Sequence, residues 1–92
     1  MKQKFPRGTF VQITKDLPTY MRHFEKDFVG VIEYSYKQEY GYGSTKSYSI
    51  VQLDKKGSPI NTIAWYEEDQ LTLVSSDVKK GKAIIEAYHY HD

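Results

Sequence analysis

Apolar residues recur at two-residue steps in five stretches of this chain, and at three- to four-residue steps only near its end. The first stretch, residues 9–14, sets Val11 and Ile13 on one face and predicts a strand. In the second, 28–36, Phe28, Gly30, Ile32, Tyr34 and Tyr36 share one face and Val29, Val31, Glu33 and Ser35 the other. A glycine inside such a run predicts a bulge or a tight bend at Gly30. Residues 48–53 and 60–66 give the third and fourth strands, the latter with Ile63 and Trp65 opposite Ala64 and Tyr66. Residues 71–74 give the fifth, with Leu71 and Leu73 alternating. The expected core is Val11, Ile13, Val31, Ile50 or Val51, Ile63, Leu71 and Leu73.

The segments between carry turn chemistry. Phe5-Pro6-Arg7-Gly8 reads as an entry turn, and residues 54–59 as a hairpin turn. Residues 67–70 form a short acidic turn. The connection 15–27 is long and polar; within it, 17–24 fits one helical turn with Pro18 at the first position, so that Tyr20, His23 and Phe24 share a side. Residues 37–46 read as a loop with Tyr40-Gly41-Tyr42-Gly43 at its tip. After Ser76-Asp77 the period changes: Val78, Gly81, Ile84, Ile85 and Tyr88 mark a helix over about 77–88. Gly81 costs that helix about 1 kcal/mol against alanine. The expectation is a single domain, 1–92, mainly β, with a barrel over about 7–74 and a C-terminal α-helix whose Ile84, Ile85 and Tyr88 face packs on it.

The strings RGTFVQI at 7–13, FVGVIEYSY at 28–36, SYSIVQL at 47–53 and AWYEEDQLTLV at 64–74 resemble a five-stranded Src-homology-3-like small barrel of the KOW or ribosomal-protein type. That resemblance covers most of 7–74 and speaks to fold alone, because such barrels serve many functions. KDLPTYMRHFEKD at 15–27, SYKQEYGYG at 35–43 and AWYEEDQLTLV at 64–74 together also resemble a set of short bacterial and phage or prophage proteins. In these a histidine–phenylalanine loop, a tyrosine–glycine loop and a tryptophan–tyrosine pair follow in that order. The resemblance transfers no activity; it implies an accessory protein of a mobile element that acts by binding.

Composition sharpens this. Nine of the 92 residues are tyrosine, and four of those fall between positions 34 and 42. A tyrosine offers a flat apolar ring with a polar tip, which suits a contact surface. Tyr34, Tyr36, Tyr40, Tyr42, Tyr48 and Tyr66 therefore form the candidate binding face, with Gly41 and Gly43 shaping its loop and His23 as an additional partner contact. The competing reading is that these rings pack and cap a small sheet. Trp65, a lone tryptophan on an alternating strand, reads as core.

Charge and chemistry exclude more than they assign. Lys and Arg number 13 against 12 Asp and Glu, unlike a strongly basic nucleic-acid binder. There is no cysteine, hence no disulfide or thiolate chemistry. Tyr40–Lys46 lacks the spacing of a nucleotide-binding P-loop and precedes a strand. His89, His91 and Asp92 do not complete the four ligands of a metal site, and Glu67-Glu68-Asp69 reads as a solvated turn. No nucleophile–base pair is in view. No run approaches the roughly 18 apolar residues of a membrane span, and the polar start does not fit a signal peptide, so the cytoplasm is the expected compartment. The expectation is a non-enzymatic binding module without cofactor or metal. It binds and inhibits a host protein or sequesters a nucleotide-like small molecule, and a homo-oligomer is compatible with its exposed aromatics. The alternative is a single-stranded nucleic-acid or RNA binder, with tyrosine stacking and the lysines tracking phosphates.

Overall fold

The computed structural model describes residues 4–13 and 28–89. The turn expected at 17–24, with Tyr20, His23 and Phe24, lies outside them, as do Tyr90, His91 and Asp92. Five strands form: β1 (Phe10–Ile13), β2 (Val29–Ser35), β3 (Ser47–Leu53), β4 (Pro59–Glu67) and β5 (Leu71–Ser75). A five-residue helix, α1 (Tyr36–Tyr40), follows β2, and α2 (Val78–His89) ends the described chain. A single 3-10 turn, Glu68–Gln70, occupies the acidic break.

The strands make one antiparallel sheet in the order β4-β3-β2-β1-β5. The closed barrel expected from the sequence is not formed among the described residues, because β4 and β5 do not pair with each other. The sheet is nonetheless curled. The edges of a flat five-stranded sheet lie about 19 Å apart at the usual strand spacing, whereas three residues of 3-10 turn rise only about 6 Å. Consecutive strands at opposite edges can be joined this briefly only if the edges approach at that end.

Both faces of the sheet bury apolar side chains, as the split along β2 foretells. Phe5, Val11, Ile13, Phe28, Ile32, Tyr48, Ile50, Ile63, Tyr66 and Leu71 form the larger cluster. Phe10, Val31, Val51, Leu53 and Ile85 form the second, with Val29, Ile84 and Tyr88 packed against it. The second is roofed by α2, whose Ile84, Ile85 and Tyr88 face inward while Lys79 and Lys82 remain exposed. At the end of α2, His89 Nε2 meets Oε2 of Glu33, a carboxylate buried on β2.

Three details depart from the expected pattern. Leu73 was expected in the core and is 55% exposed. Among the described residues β5 pairs with β1 alone, and Thr72, Leu73 and Val74 are all exposed there. The irregularity in β2 falls between Ile32 and Tyr34, not at Gly30. On β4, Tyr66 pairs with Tyr48 and Ile63 with Ile50, so three steps on β4 face two on β3. That extra residue breaks the alternation, and Ile63 and Tyr66 are both buried, not on opposite faces as expected.

Candidate functional site

The residues around the tyrosine–glycine segment fold into a capped helical turn where the sequence suggested a loop. Ser35 caps α1: its hydroxyl accepts from Gln38 N–H at 3.1 Å, and the Gln38 side chain accepts from Ser35 N–H at 2.8 Å. This reciprocal box satisfies two backbone donors at once. Gly41 ends the helix in the left-handed region at φ 80°, donating to the Lys37 carbonyl at 2.7 Å. Lys37 N–H donates to the Ser44 carbonyl at 2.9 Å, which folds residues 41–44 back against the helix start.

Helical spacing then places Tyr36 and Tyr40 on one side, with ring centroids 4.7 Å apart. Tyr42 closes on both, 6.2 Å from Tyr36 and 6.4 Å from Tyr40. Gly43 makes this possible: its φ is 89°, and a Cβ there would lie 2.9 Å from the Tyr36 ring. The fourth ring is Trp65 of β4, 5.1 Å from Tyr36 and 5.9 Å from Tyr40. Edge-to-face and tilted contacts at these separations are mutually attractive. Tyr36 and Trp65 are half-buried and support the other two, whereas Tyr40 is 51% and Tyr42 66% exposed. The neighbouring Tyr42 phenol raises the pKa of Tyr36 above its ordinary value, with partial burial and a hydrogen bond to Tyr42 acting in the same direction. The result is an aromatic surface in which the two inner rings pack against the two exposed ones.

Five of the expected site residues meet here: Tyr36, Tyr40, Gly41, Tyr42 and Gly43. The others do not. Tyr34 lies under the Arg7 guanidinium, 4.6 Å from its ring centroid. Tyr48 and Tyr66 were expected on the binding face, and both are 0% exposed. They are a cross-strand pair of the core, set inward by the irregular β3–β4 register. His23 lies outside the described residues. Trp65, expected in the core, joins the surface cluster instead; the β4 irregularity that turns Tyr66 inward also turns Trp65 toward α1.

Tyr48 anchors a second feature. Its hydroxyl donates to Glu68 Oε2 at 2.7 Å and accepts from the N–H groups of Lys4 and Phe5 at 3.1 and 3.3 Å. Burial, and donation to Glu68, push its pKa up to about 12. Beside it lies an open hollow lined by Lys4, Lys46, Glu67, Glu68 and Asp69. Its mixed charge suits neither a purely anionic nor a cationic ligand. Among the described residues no group of three or more His, Asp or Glu side chains is arranged to hold a metal ion. No described helix is long and apolar enough to cross a membrane.

No protein-family model, curated protein or solved structure matches the chain.

Proposed function

We propose that this protein is a non-enzymatic binding module whose contact surface is the cluster of Tyr36, Tyr40, Tyr42 and Trp65. The observation that carries the reading is the exposure of Tyr40 and Tyr42, at 51% and 66%, on rings already held in place by their neighbours. Ordered aromatic surface loses little conformational entropy on binding, and tyrosine and tryptophan dominate binding hot spots. The curled sheet with its 3-10 break is compatible with an open Src-homology-3-like barrel. The likeness of residues 15–27, 35–43 and 64–74 to short phage and prophage proteins supports an accessory role in a mobile element, exercised in the cytoplasm. In this reading the ligand is a host protein that the module inhibits, or a nucleotide-like molecule that it sequesters.

Single-stranded nucleic acid is the second reading, favoured by exposed rings on which bases can stack. It is weakened by the carboxylates of Glu67, Glu68 and Asp69, which share a hollow with Lys4 and Lys46. The test is capture from bacterial lysate, with bound proteins, small molecules and nucleic acid all identified. Wild type should retain a ligand that the Tyr40→Ala/Tyr42→Ala variant does not. Equal retention by both would remove the cluster from the function.

A further inference from the structure

We infer that Tyr36 and Tyr42 form an oxidative modification site, at which a phenol-oxidising peroxidase with hydrogen peroxide joins the two rings within one copy of the chain. Tyr42 is 66% exposed and Tyr36 is half-buried behind it. Their ring centroids are 6.2 Å apart and their planes stand 79° to one another. A side-chain hydrogen bond joins the two phenols. The outer ring thus meets an oxidant in solution, and the inner ring is reached through the outer one.

The chemistry balances as follows from the two phenols. Removing one electron and one proton from Tyr42 leaves a radical shared between its oxygen and the ring carbons beside it. A hydrogen atom then passes along the hydrogen bond from Tyr36 to Tyr42, and the restored Tyr42 phenol is oxidised a second time. The two radicals lie side by side and join by one new carbon–carbon bond between carbons next to the hydroxyls. The hydrogens displaced from those carbons move to the oxygens, which restores both hydroxyls. The pair has lost two hydrogen atoms in all, and one hydrogen peroxide has become two waters. Groups already held together react far faster than groups that must meet by diffusion, so the link forms inside one copy.

Other pairs are less suited. The centroids of Tyr36 and Tyr40 are closer, at 4.7 Å, but both residues lie on α1. One helical turn sets their Cβ atoms about 5–6 Å apart, which packs the rings alongside each other and is shorter than the span of two rings joined near their hydroxyl ends. Tyr42 lies beyond the helix between Gly41 and Gly43, whose φ values of 80° and 89° give the segment room to adjust. Tyr48 and Tyr66 are buried. Tyr34 lies under the Arg7 guanidinium, whose charge opposes removal of an electron, and Tyr88 faces His89. A Tyr36–Tyr42 bond ties residues 41–44 covalently to α1, where the Lys37 N–H already holds the Ser44 carbonyl.

The test is treatment of the full chain, at low concentration, with a phenol-oxidising peroxidase and limiting hydrogen peroxide. Intact mass, dityrosine fluorescence and tryptic mapping are read. Wild type should yield a single-copy product lighter by two hydrogen atoms. In it the tryptic peptide 27–37, with Tyr34 and Tyr36, should be joined to 38–46, with Tyr40 and Tyr42, and fragmentation should place the bond at Tyr36 and Tyr42. Tyr36→Phe and Tyr42→Phe, with circular dichroism and melting close to wild type, should each lose that product. Tyr34→Phe, Tyr40→Phe and Tyr20→Phe/Tyr90→Phe should retain it. In wild type unfolded by urea the links should scatter over several tyrosine pairs. The inference is overturned by a wild type that gives no single-copy product, or one bonded at another pair. Survival of the product in Tyr36→Phe or Tyr42→Phe, its loss in Tyr40→Phe, or the same selective link in urea would each overturn it as well.

Discussion

The backbones of Gly8 and Gly81 touch where the N-terminal segment passes under α2. A Cβ built on Gly81 would fall on the Gly8 carbonyl, and one on Gly8 would fall on the Val78 carbonyl. Gly8 is itself fixed, with φ 97° and its N–H donated to the Ile32 carbonyl of β2 at 2.9 Å. The contact sets how closely α2 lies on the sheet, and so whether Ile85 reaches the second core cluster.

Gly81→Ala should therefore destabilise the protein although alanine favours a helix by about 1 kcal/mol. Overpacking against a fixed backbone costs about 1–3 kcal/mol, and the net effect should be a lower melting temperature. Chemical denaturation of the variant checks this. A gain in stability would mean that α2 does not rest on Gly8.

The two leucines of β5 should differ sharply. Leu71 is buried in the larger cluster while Leu73 is 55% exposed. Leu71→Ala should cost about 2–5 kcal/mol by the cavity it leaves, and Leu73→Ala no more than about 0.5 kcal/mol. Equal losses in denaturant midpoints would contradict the placement of the strand.

Tyr48 gives the fold an alkaline limit. Its pKa is about 12 in the folded protein against an ordinary 10.0. Below pH 10 the phenol is protonated in both states and the full stabilisation is present. As pH rises from 10 toward 12, the unfolded chain loses its proton first and stability falls. Tyr48→Phe should flatten this decline relative to wild type in stability measured from pH 9 to 12. It should also lower stability at neutral pH, because Glu68 and two backbone donors lose a partner.

Much of this architecture was legible because it follows from periodicity. The five strands, the hairpin at 54–59, the acidic break and the inward face of α2 all lie where alternation and turn residues put them. Gly81 was legible as a cost to its helix, but its partner Gly8, more than seventy positions away, leaves no local trace. The departures at Tyr66 and Trp65 share a cause in tertiary register. One extra residue in β4 sends Tyr66 inward and Trp65 outward, and strict two-residue alternation cannot anticipate it. α1 did leave a signal: Ser35 followed three residues later by Gln38 is a capping box, overshadowed by the glycines after it. At the site, tyrosine density led to Tyr36, Tyr40 and Tyr42. Density alone does not separate these from Tyr48, whose hydroxyl finds partners in the core, or from Tyr66, whose buried hydroxyl finds none among the described residues.

Trp65 is the chain's single tryptophan, and it lies within the aromatic cluster. Its emission is therefore a direct report on the proposed contact surface. Titrating the ligand recovered by capture into wild type should change Trp65 fluorescence in a saturable way. In Tyr40→Ala/Tyr42→Ala, with melting temperature within a few degrees of wild type, affinity should fall by at least about tenfold, since a lost hot-spot ring typically costs about 2 kcal/mol. A ligand that binds by calorimetry, leaves Trp65 emission unchanged and binds the double variant as tightly would contradict the account.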